Sequence, residues 1–286
     1  MNNRKILIVG GDSSLSKELI KFFDDNFIGY KATSRRLNPD KGFIFLDLSQ
    51  PNSFHALTGL NFSTVILAAS ICSIDECEGD KQYTSLVNVK NTFTLISVLK
   101  KVCPDIRVIM LSTDMVLDGA LAWPTQITIK APLTEYGRQK SELEDKLIDN
   151  YNNIKILRFG KILEKDLPLF NEWACKLKTG KKIIAFNDLI FAPISTDYSI
   201  KAIMMAIESS NISNEIYHVN SGVDITYCDA ALWLAKNLRV SSELVEGIGV
   251  HQVFPSKVLP KRMALGNNLN IVSTLKGIEA FEVFLK

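Results

Sequence analysis

The residues of this sequence best suited to chemistry are a tyrosine and a lysine four positions apart. Tyr136 and Lys140 are one helical turn apart, so their side chains share a face. A nearby ammonium lowers the pKa of a tyrosine towards neutrality, and the phenol can then exchange a proton with a carbinol oxygen. About two dozen residues earlier, Ser112 and Thr113 follow an apolar run and offer a hydroxyl to hold that oxygen. This order is more specific than Tyr-x-x-x-Lys alone and predicts a proton-transfer site.

A second segment with chemical meaning is the turn that follows the first apolar run. Glycines at a strand–turn–helix junction let the backbone approach a pyrophosphate at the helix N-terminus. The usual Gly-x-x-Gly-x-x-Gly spacing falls here on Gly10, Ser13 and Ser16. Serine is the smallest substitute, and its hydroxyl can donate to a phosphate or cap the helix. We predict dinucleotide contacts at Gly10, Ser13, Ser14 and Leu15; the alternative is a turn that binds no dinucleotide.

The ends of the next strands offer further contacts to a dinucleotide. Arginine after the second strand accommodates the 2′-phosphate of NADP, whereas an acidic residue there binds the ribose hydroxyl of NAD. Ser34, Arg35 and Arg36 therefore favour NADP(H) over NAD(H), unless they form a solvated basic turn. The other candidates are Asp47 and Leu48, which would meet an adenine ring, and Ala68, Ala69 and Ser70, which leave room for the cofactor.

Short apolar runs alternate with amphipathic stretches in the first half of the chain. The runs occupy residues 5–9, 30–33, 43–46, 65–69, 107–111 and 154–158. Each is typical of a strand buried on both faces. Two apolar stripes predict helices between them: Leu15, Leu19, Ile20 and Phe23, and then Leu86, Val89, Phe93, Ile96 and Leu99. This alternation predicts an α/β fold with a Rossmann-like, doubly wound parallel sheet that binds ligands outside the carboxyl ends of its strands.

The last third of the chain is less regular. It predicts helices over residues 196–209 and 227–238, a strand over 216–219, and no linker. We interpret residues 1–160 as mainly the dinucleotide-binding core. Residues 161–286 would be mainly a smaller substrate-binding lobe that is interleaved with this core.

Composition argues against several classes of protein. The 286 residues carry a formal net charge of +2, so no global field favours nucleic acid or a membrane surface. No apolar run approaches the ~18 residues of a membrane span, and the first is too short for a signal peptide. We therefore expect a cytoplasmic protein. The five cysteines and three histidines show no metal-ligand spacing, so no metal site is predicted.

Two segments resemble a known family of reductases. Residues 111–119 and 132–144 are similar to the Ser-Thr-Asp-Tyr-Val-Phe-Asp-Gly and Tyr-Gly-x-x-Lys-x-x-x-Glu motifs of dTDP-4-dehydrorhamnose reductases, extended short-chain reductases that bind sugar nucleotides. The similarity continues at Asp75, Glu78 and Asn88, and in residues 156–158 and 216–219. It implies catalytic roles for Thr113, Tyr136 and Lys140, with Tyr136 as proton donor and Lys140 on the nicotinamide ribose. Candidate substrate contacts are Ser112, Asp114, Met115 and Pro193.

The resemblance implies NADPH-dependent reduction of a keto group on a nucleotide-linked deoxysugar, and it allows a homodimer. The sequence departs from the family at Met115, where tyrosine is usual. The late Arg-Pro-x-x-Ser-x-Leu-Asp motif appears as residues 259–266, without its first arginine and last aspartate. Two alternatives stay open. The altered glycine turn favours a non-catalytic regulatory or scaffolding subunit, and related folds also include sugar-nucleotide epimerases and dehydratases.

Several other polar residues have ordinary structural interpretations. His218 lies in an apolar run and is expected in the core. Glu142, Glu144, Asp145 and Lys146 follow the Tyr-x-x-x-Lys segment and are expected on the solvated face of its helix. A redox pair of Cys72 and Cys77 is a minor alternative to reduced, scattered thiols.

Overall fold

Strands and helices alternate along the computed structural model, which describes residues 5–36, 42–165, 167–220, 222–255, 259–266 and 277–285. The strands are β1 (Ile6–Val9), β2 (Tyr30–Ser34), β3 (Ile44–Phe45), β4 (Thr64–Leu67), β5 (Arg107–Thr113), β6 (Ile154–Phe159), β7 (Lys161–Leu163), β8 (Ile183–Phe186), β9 (Ile190–Phe191), β10 (Pro193–Ser195), β11 (Glu215–Val219), β12 (Ile225–Thr226) and β13 (Val245–Ile248). The α-helices are α1 (Ser14–Asp25), α2 (Ile74–Gly79), α3 (Lys81–Ser85), α4 (Thr92–Val102), α5 (Glu135–Asn150), α6 (Pro168–Lys178), α7 (Thr196–Glu208), α8 (Tyr227–Asn237) and α9 (Val250–Val253).

Among the described residues, seven strands form one sheet in the order β11-β6-β5-β4-β1-β2-β3. Strand β1 pairs in parallel with both β2 and β4, and β4 pairs in parallel with β5. The chain therefore runs outward from β1 to β3 and then returns to the other side of β1. A ligand crevice forms at such a reversal, outside the carboxyl ends of the strands. The predicted α/β fold with a Rossmann-like, doubly wound sheet is confirmed.

Burial follows the predicted apolar pattern in most of these elements. All four residues of β1 are buried, and so are the four stripe residues of α1. Strand β3 is one exception, since it lies at the edge of the sheet and its two residues are only half-buried, and the first half of β2 is another, since Lys31 is exposed. The prediction of a strand buried on both faces is therefore wrong for β3.

The second predicted apolar stripe is interrupted by a π turn at Leu86–Asn91. A π turn holds one residue more than an α turn and so rotates the helix face. Thr92 Oγ1 donates to the carbonyl of Val87 at 2.9 Å, five residues back. As a result Leu86 is exposed, whereas Asn88 and Asn91 are buried. The prediction that Leu86 belongs to the buried stripe is wrong for this reason.

The chain divides into two compact units. The first comprises residues 1–116, 134–158 and 203–217, and the second comprises residues 117–133, 159–202 and 218–286. In the second unit β7 pairs with β10, β8 with β13 and β9 with β12. Phe170 of α6 packs there against Tyr227 and Phe281. His218 is fully buried, as expected, with Nδ1 3.1 Å from the Pro124 carbonyl oxygen. Over the described ranges, no helix is long and apolar enough to cross a bilayer.

Candidate active site

The start of helix α5 fixes the position of the predicted tyrosine and lysine. Thr134 is the N-cap, and its Oγ1 accepts a hydrogen bond from the backbone N–H of Gly137 at 3.1 Å. Such a cap fixes where the helix begins. Tyr136 therefore lies in the first turn of α5, and Lys140 follows one turn later.

Tyr136 and Lys140 share one face of α5, as their spacing predicts. The Nζ of Lys140 lies 5.8 Å from the centroid of the Tyr136 ring. It also donates a hydrogen bond to the carbonyl of Leu111 in β5 at 3.0 Å. The side chain of Lys140 is only 7% exposed, so this ammonium is held between the phenol and the end of β5.

The end of β5 supplies hydroxyl groups with different surroundings. Thr113 Oγ1 donates to Asp114 Oδ1 at 2.9 Å and accepts a hydrogen bond from the Met115 backbone N–H at 3.2 Å. Ser112 Oγ instead donates to Glu144 Oε1 at 2.5 Å. Thr113 and Asp114 thus form one cluster, and the hydroxyl of Ser112 belongs to another.

Glu144 is fully buried, so the prediction that it lies on a solvated face is wrong. Its carboxylate accepts hydrogen bonds from Arg158 Nη2 at 2.7 Å and Arg158 Nε at 3.1 Å, in addition to Ser112. Glu144 stands one turn beyond Lys140 on α5, so it shares the buried face that Lys140 occupies. Of the other three residues that were predicted to lie on the solvated face of α5, Asp145 and Lys146 are exposed and Glu142 is half-buried.

Burial and neighbouring groups set the protonation of the tyrosine–lysine pair. Burial raises the pKa of Tyr136 well above its ordinary value, and the neighbouring Cys72 and Asp114 raise it further. Burial also lowers the pKa of Lys140. The pKa of Tyr136 is thus shifted in the direction opposite to the lowering that the Lys140 ammonium predicts, and burial is the largest cause of the shift.

Cys72 is an exposed thiol next to the phenol, and sequence reasoning did not place it there. Burial raises the pKa of the second thiol, Cys77, which lowers its reactivity as a partner in a redox pair. Cys72 lies in the loop between β4 and α2. Its proximity to α5 depends on the order of the strands in the sheet, which the spacing of residues along the sequence does not give.

Replacing Cys72 with alanine is expected to lower the pKa of Tyr136. The neighbouring Cys72 favours the neutral phenol, so its removal lets the phenol ionise at a lower pH. Ultraviolet titration of phenolate formation measures this shift when each protein is compared with its Tyr136→Phe counterpart, because the difference isolates Tyr136 from the other six tyrosines. Cys175→Ala is the matched control, since it removes another exposed thiol. An unchanged or higher Tyr136 pKa in Cys72→Ala contradicts the expectation.

A cavity of about 470 Å³ lies within the first unit at the carboxyl ends of β1, β2 and β4. Its wall includes most of the predicted cofactor contacts: Gly10, Ser13, Ser34, Arg35, Arg36, Asp47, Leu48, Ala68, Ala69 and Ser70. It also includes Asp12, Glu76 and Cys72, and Cys72 is a neighbour of Tyr136 that influences its pKa. The cavity thus extends from the end of β2 to the thiol beside Tyr136. Ser14 and Leu15 are in the first turn of α1, and Leu15 is buried.

In the turn after β1, the first glycine is closely packed, and the two serines form hydrogen bonds at the start of α1. Gly10 has φ +93°, and a Cβ there would lie 2.7 Å from the Ala69 backbone nitrogen. Ser13 caps α1 by accepting a hydrogen bond from the Ser16 backbone N–H at 3.2 Å. Ser13 Oγ also donates to Ser16 Oγ at 2.7 Å. Of the two uses predicted for the serine hydroxyls, the structure shows helix capping.

Gly10→Ala is expected to lower the free energy of unfolding by about 2–4 kcal/mol, since it adds both backbone strain and a clash with Ala69. Gly180→Ala provides the control, because Gly180 also has a positive φ of +70° but nothing lies within 4 Å of its added Cβ. That variant should lose only about 1 kcal/mol. Urea unfolding measures both values, and equal losses contradict the close packing at Gly10.

A buried polar network links helix α5 to the loop after β4. Asn88 Nδ2 donates to Gln139 Oε1 at 2.8 Å, and Asn88 Oδ1 accepts from the backbone N–H of Ile71 at 2.8 Å. Gln139 Nε2 donates to Thr84 Oγ1 and to Glu135 Oε1, both at 2.9 Å. Gln139 stands directly before Lys140, and sequence reasoning missed it because nothing in the spacing marks it as buried.

The remaining predicted residues belong to the second unit. Pro193 is a buried residue of β10. In the late segment, the backbone N–H of Met263 donates to the Ile190 carbonyl at 3.1 Å, so this segment runs beside β9. Arg262 Nη1 lies 3.8 Å from Asp224 Oδ2.

Comparison with known proteins gives a family and a set of similar folds. Residues 4–269 match the family described as the RmlD substrate binding domain. A comparison with curated protein sequences gives no significant match. Among solved structures, dTDP-4-dehydrorhamnose reductase from Bacillus anthracis in complex with NADP has a TM-score of 0.85 and 17% identity, covering 100% of this chain and 98% of that one.

Other solved structures with the same fold have several activities. A dTDP-4-dehydrorhamnose reductase from Clostridium acetobutylicum has a TM-score of 0.81 at 21% identity, covering 98% of each chain. UDP-glucose 4-epimerase from Thermotoga maritima has a TM-score of 0.81 at 15% identity, again covering 98% of each chain. At these identities the likeness establishes the fold.

Proposed function

Because the chain belongs to the RmlD substrate binding domain family, we propose that it reduces a keto group on a nucleotide-linked deoxysugar with NADPH. The observation that carries this proposal is the position of Tyr136 and Lys140. They share one face of α5, and Cys72 joins the phenol to the cavity at the carboxyl ends of the strands. A proton donor at the end of a ligand crevice is the arrangement that carbonyl reduction needs.

The cavity wall fits a nicotinamide dinucleotide. Gly10 brings the turn after β1 against Ala69 so closely that no side chain could stand between them, which leaves backbone facing the crevice. Ala68, Ala69 and Ser70 add small side chains to the same wall. Arg35 and Arg36 are exposed at the end of β2, where they would hold a 2′-phosphate. When bound, NADPH would supply the hydride.

The side chains of the chain would manage the proton and orient the carbonyl. Tyr136 would donate its proton to the carbonyl oxygen as that oxygen gains negative charge. A tyrosine is already protonated at neutral pH, and burial raises the pKa of Tyr136 further, so the phenol carries the proton that it would donate. Thr113 would donate its hydroxyl hydrogen to the same oxygen instead of to Asp114. Lys140 would stabilise the phenolate that remains and hold the nicotinamide ribose.

The substrate class follows from the family and from the placement of the polar side chains. The family is named for a substrate-binding domain, and the reductases with the same fold act on dTDP-linked deoxysugars. We propose a keto group at C4 of the sugar. Asp114 and Met115 would contact the sugar beside Thr113.

One observation favours a second candidate, a non-catalytic regulatory or scaffolding subunit. The hydroxyl of Ser13 donates a hydrogen bond to the hydroxyl of Ser16 and accepts one from the Ser16 backbone N–H, where the usual turn has glycines open to a pyrophosphate. A chain that had lost its dinucleotide would tolerate such a turn. Against this alternative, the presence of Tyr136, Lys140 and Thr113 in one chain supports catalysis.

Calorimetric titration of the purified protein with NADPH and with NADH tests the proposal. We expect micromolar binding of NADPH and weaker binding of NADH. Oxidation of bound NADPH after addition of a nucleotide-linked keto-deoxysugar should follow. Absence of binding for both dinucleotides contradicts the proposal, and recovery of a stoichiometric enzyme partner in its place would support the regulatory subunit.

A further inference from the structure

The turn after β1 is attached directly to the end of β2. The backbone N–H of Gly10 donates to Thr33 Oγ1 at 3.1 Å, and the backbone N–H of Gly11 donates to the Thr33 carbonyl at 2.8 Å. A Cβ on Gly11 would lie 2.9 Å from Ala32 Cβ, so the turn crosses β2 at close range. The residue that follows, Asp12, is therefore held at the carboxyl end of β2.

The carboxylate of Asp12 bonds to the last residue of β2. Ser34 Oγ donates to Asp12 Oδ2 at 2.5 Å, and the same Oγ accepts a hydrogen bond from the backbone N–H of Arg36 at 3.0 Å. Ser34 is buried, whereas Asp12 is half-buried, and both line the cavity with Arg35 and Arg36. Asp12 thus places a negative charge beside the two arginines.

We propose that Asp12 determines how strongly the protein discriminates between NADPH and NADH. This inference rests on the proposed function, since it assigns a role within the same dinucleotide site. The carboxylate accepts a hydrogen bond from the 2′-hydroxyl of the adenosine ribose in NADH and repels the 2′-phosphate of NADPH. Arg35 and Arg36 favour the phosphate, so Asp12 opposes them and makes the protein accept both cofactors.

The position of Asp12 is what gives its charge this effect. In Rossmann folds the group that recognises the adenosine ribose stands at the end of the second strand. Here the sequence has Ser34 at that place, and the structure brings a carboxylate to it from the turn after β1. A phosphate carries about 1.5–2 negative charges at pH 7. Its repulsion by one neighbouring carboxylate is large enough to change binding about tenfold.

The experiment compares Kd values for NADPH and NADH by calorimetry in the wild type and in Asp12→Asn. Asparagine keeps an oxygen that accepts the Ser34 hydrogen bond, so the turn should retain its shape while the charge is lost. We expect the ratio of the NADH Kd to the NADPH Kd to rise about tenfold, mainly through tighter binding of NADPH. Asp12→Ser, which also removes the charge, should change the ratio in the same direction.

Glu76→Gln is the matched control, because Glu76 is an exposed carboxylate on the wall of the same cavity and is not attached to β2. It should change the ratio less than twofold. An unchanged Kd ratio in both Asp12 variants overturns the inference but leaves the proposed function standing. A change of the Kd ratio in Glu76→Gln as large as that in Asp12→Asn has the same meaning. A wild-type protein that binds neither dinucleotide overturns both.

Discussion

Replacing Tyr136 with phenylalanine is expected to lower kcat for keto-sugar reduction about a thousandfold and to leave the Kd for NADPH unchanged. General acid catalysis by a positioned side chain contributes about 10²–10⁴ to a rate, and Tyr136 is the proton donor of the proposed mechanism. Phenylalanine keeps the ring beneath Lys140 Nζ and removes only the hydroxyl. Steady-state kinetics and a calorimetric titration with NADPH measure the two effects separately.

Tyr151→Phe is the matched control for the loss of one phenolic hydroxyl. Tyr151 follows the last residue of α5, and its hydroxyl lies 2.8 Å from Ser97 Oγ, outside the candidate site. Its kcat should stay within about twofold of the wild-type value. Undiminished turnover in Tyr136→Phe would remove Tyr136 from the mechanism, whereas loss of NADPH binding would assign it a structural role.

The second large effect is expected at the buried pair of Glu144 and Arg158. Glu144→Gln should lower the free energy of unfolding by about 3–5 kcal/mol, because it leaves the guanidinium of Arg158 buried without its counter-charge. Both side chains are almost entirely inaccessible, at 0% and 1% exposure, so solvent screens their interaction little. Urea unfolding at neutral pH measures the loss.

Two further variants make the expectation about Glu144 specific. The double variant Glu144→Gln with Arg158→Met removes both charges and should recover most of the lost stability. Glu142→Gln, which breaks exposed ion pairs with Arg138 and Lys146 on the same helix, should cost no more than about 1 kcal/mol. If Glu144→Gln loses as little as Glu142→Gln, the buried pair does not stabilise the fold.

The shared helix face of the tyrosine and the lysine could be predicted because their relation is local. Four positions along one helix place Tyr136 and Lys140 on one face whatever surrounds them. Glu144 is four positions further on, but its burial depends on Arg158 from β6 and Ser112 from β5. A charged residue on a helix is usually solvated, and only the tertiary partners reverse that expectation.

Structure beyond the local sequence spacing also explains why the contact of Asp12 and the exposure of Leu86 in the second apolar stripe could not be predicted. Spacing rules drew attention to the missing glycines at Ser13 and Ser16, while the contact between Asp12 and Ser34 joins residues 22 positions apart. In the stripe, the π turn at Leu86–Asn91 changes the period that the prediction assumed. Strand–helix alternation was sufficient for the fold class, since it needs no knowledge of individual contacts.

The central claim is that this chain transfers a hydride from NADPH to a nucleotide-linked keto-deoxysugar. The most direct measurement follows deuterium from the nicotinamide C4 of labelled NADPH into the sugar product by mass spectrometry. We expect one deuterium on the former carbonyl carbon with the wild-type protein, and labelling about a thousandfold slower with Tyr136→Phe. A protein that binds NADPH but leaves the sugar unlabelled across dTDP- and UDP-linked 4-keto-deoxysugars would contradict the reductase assignment.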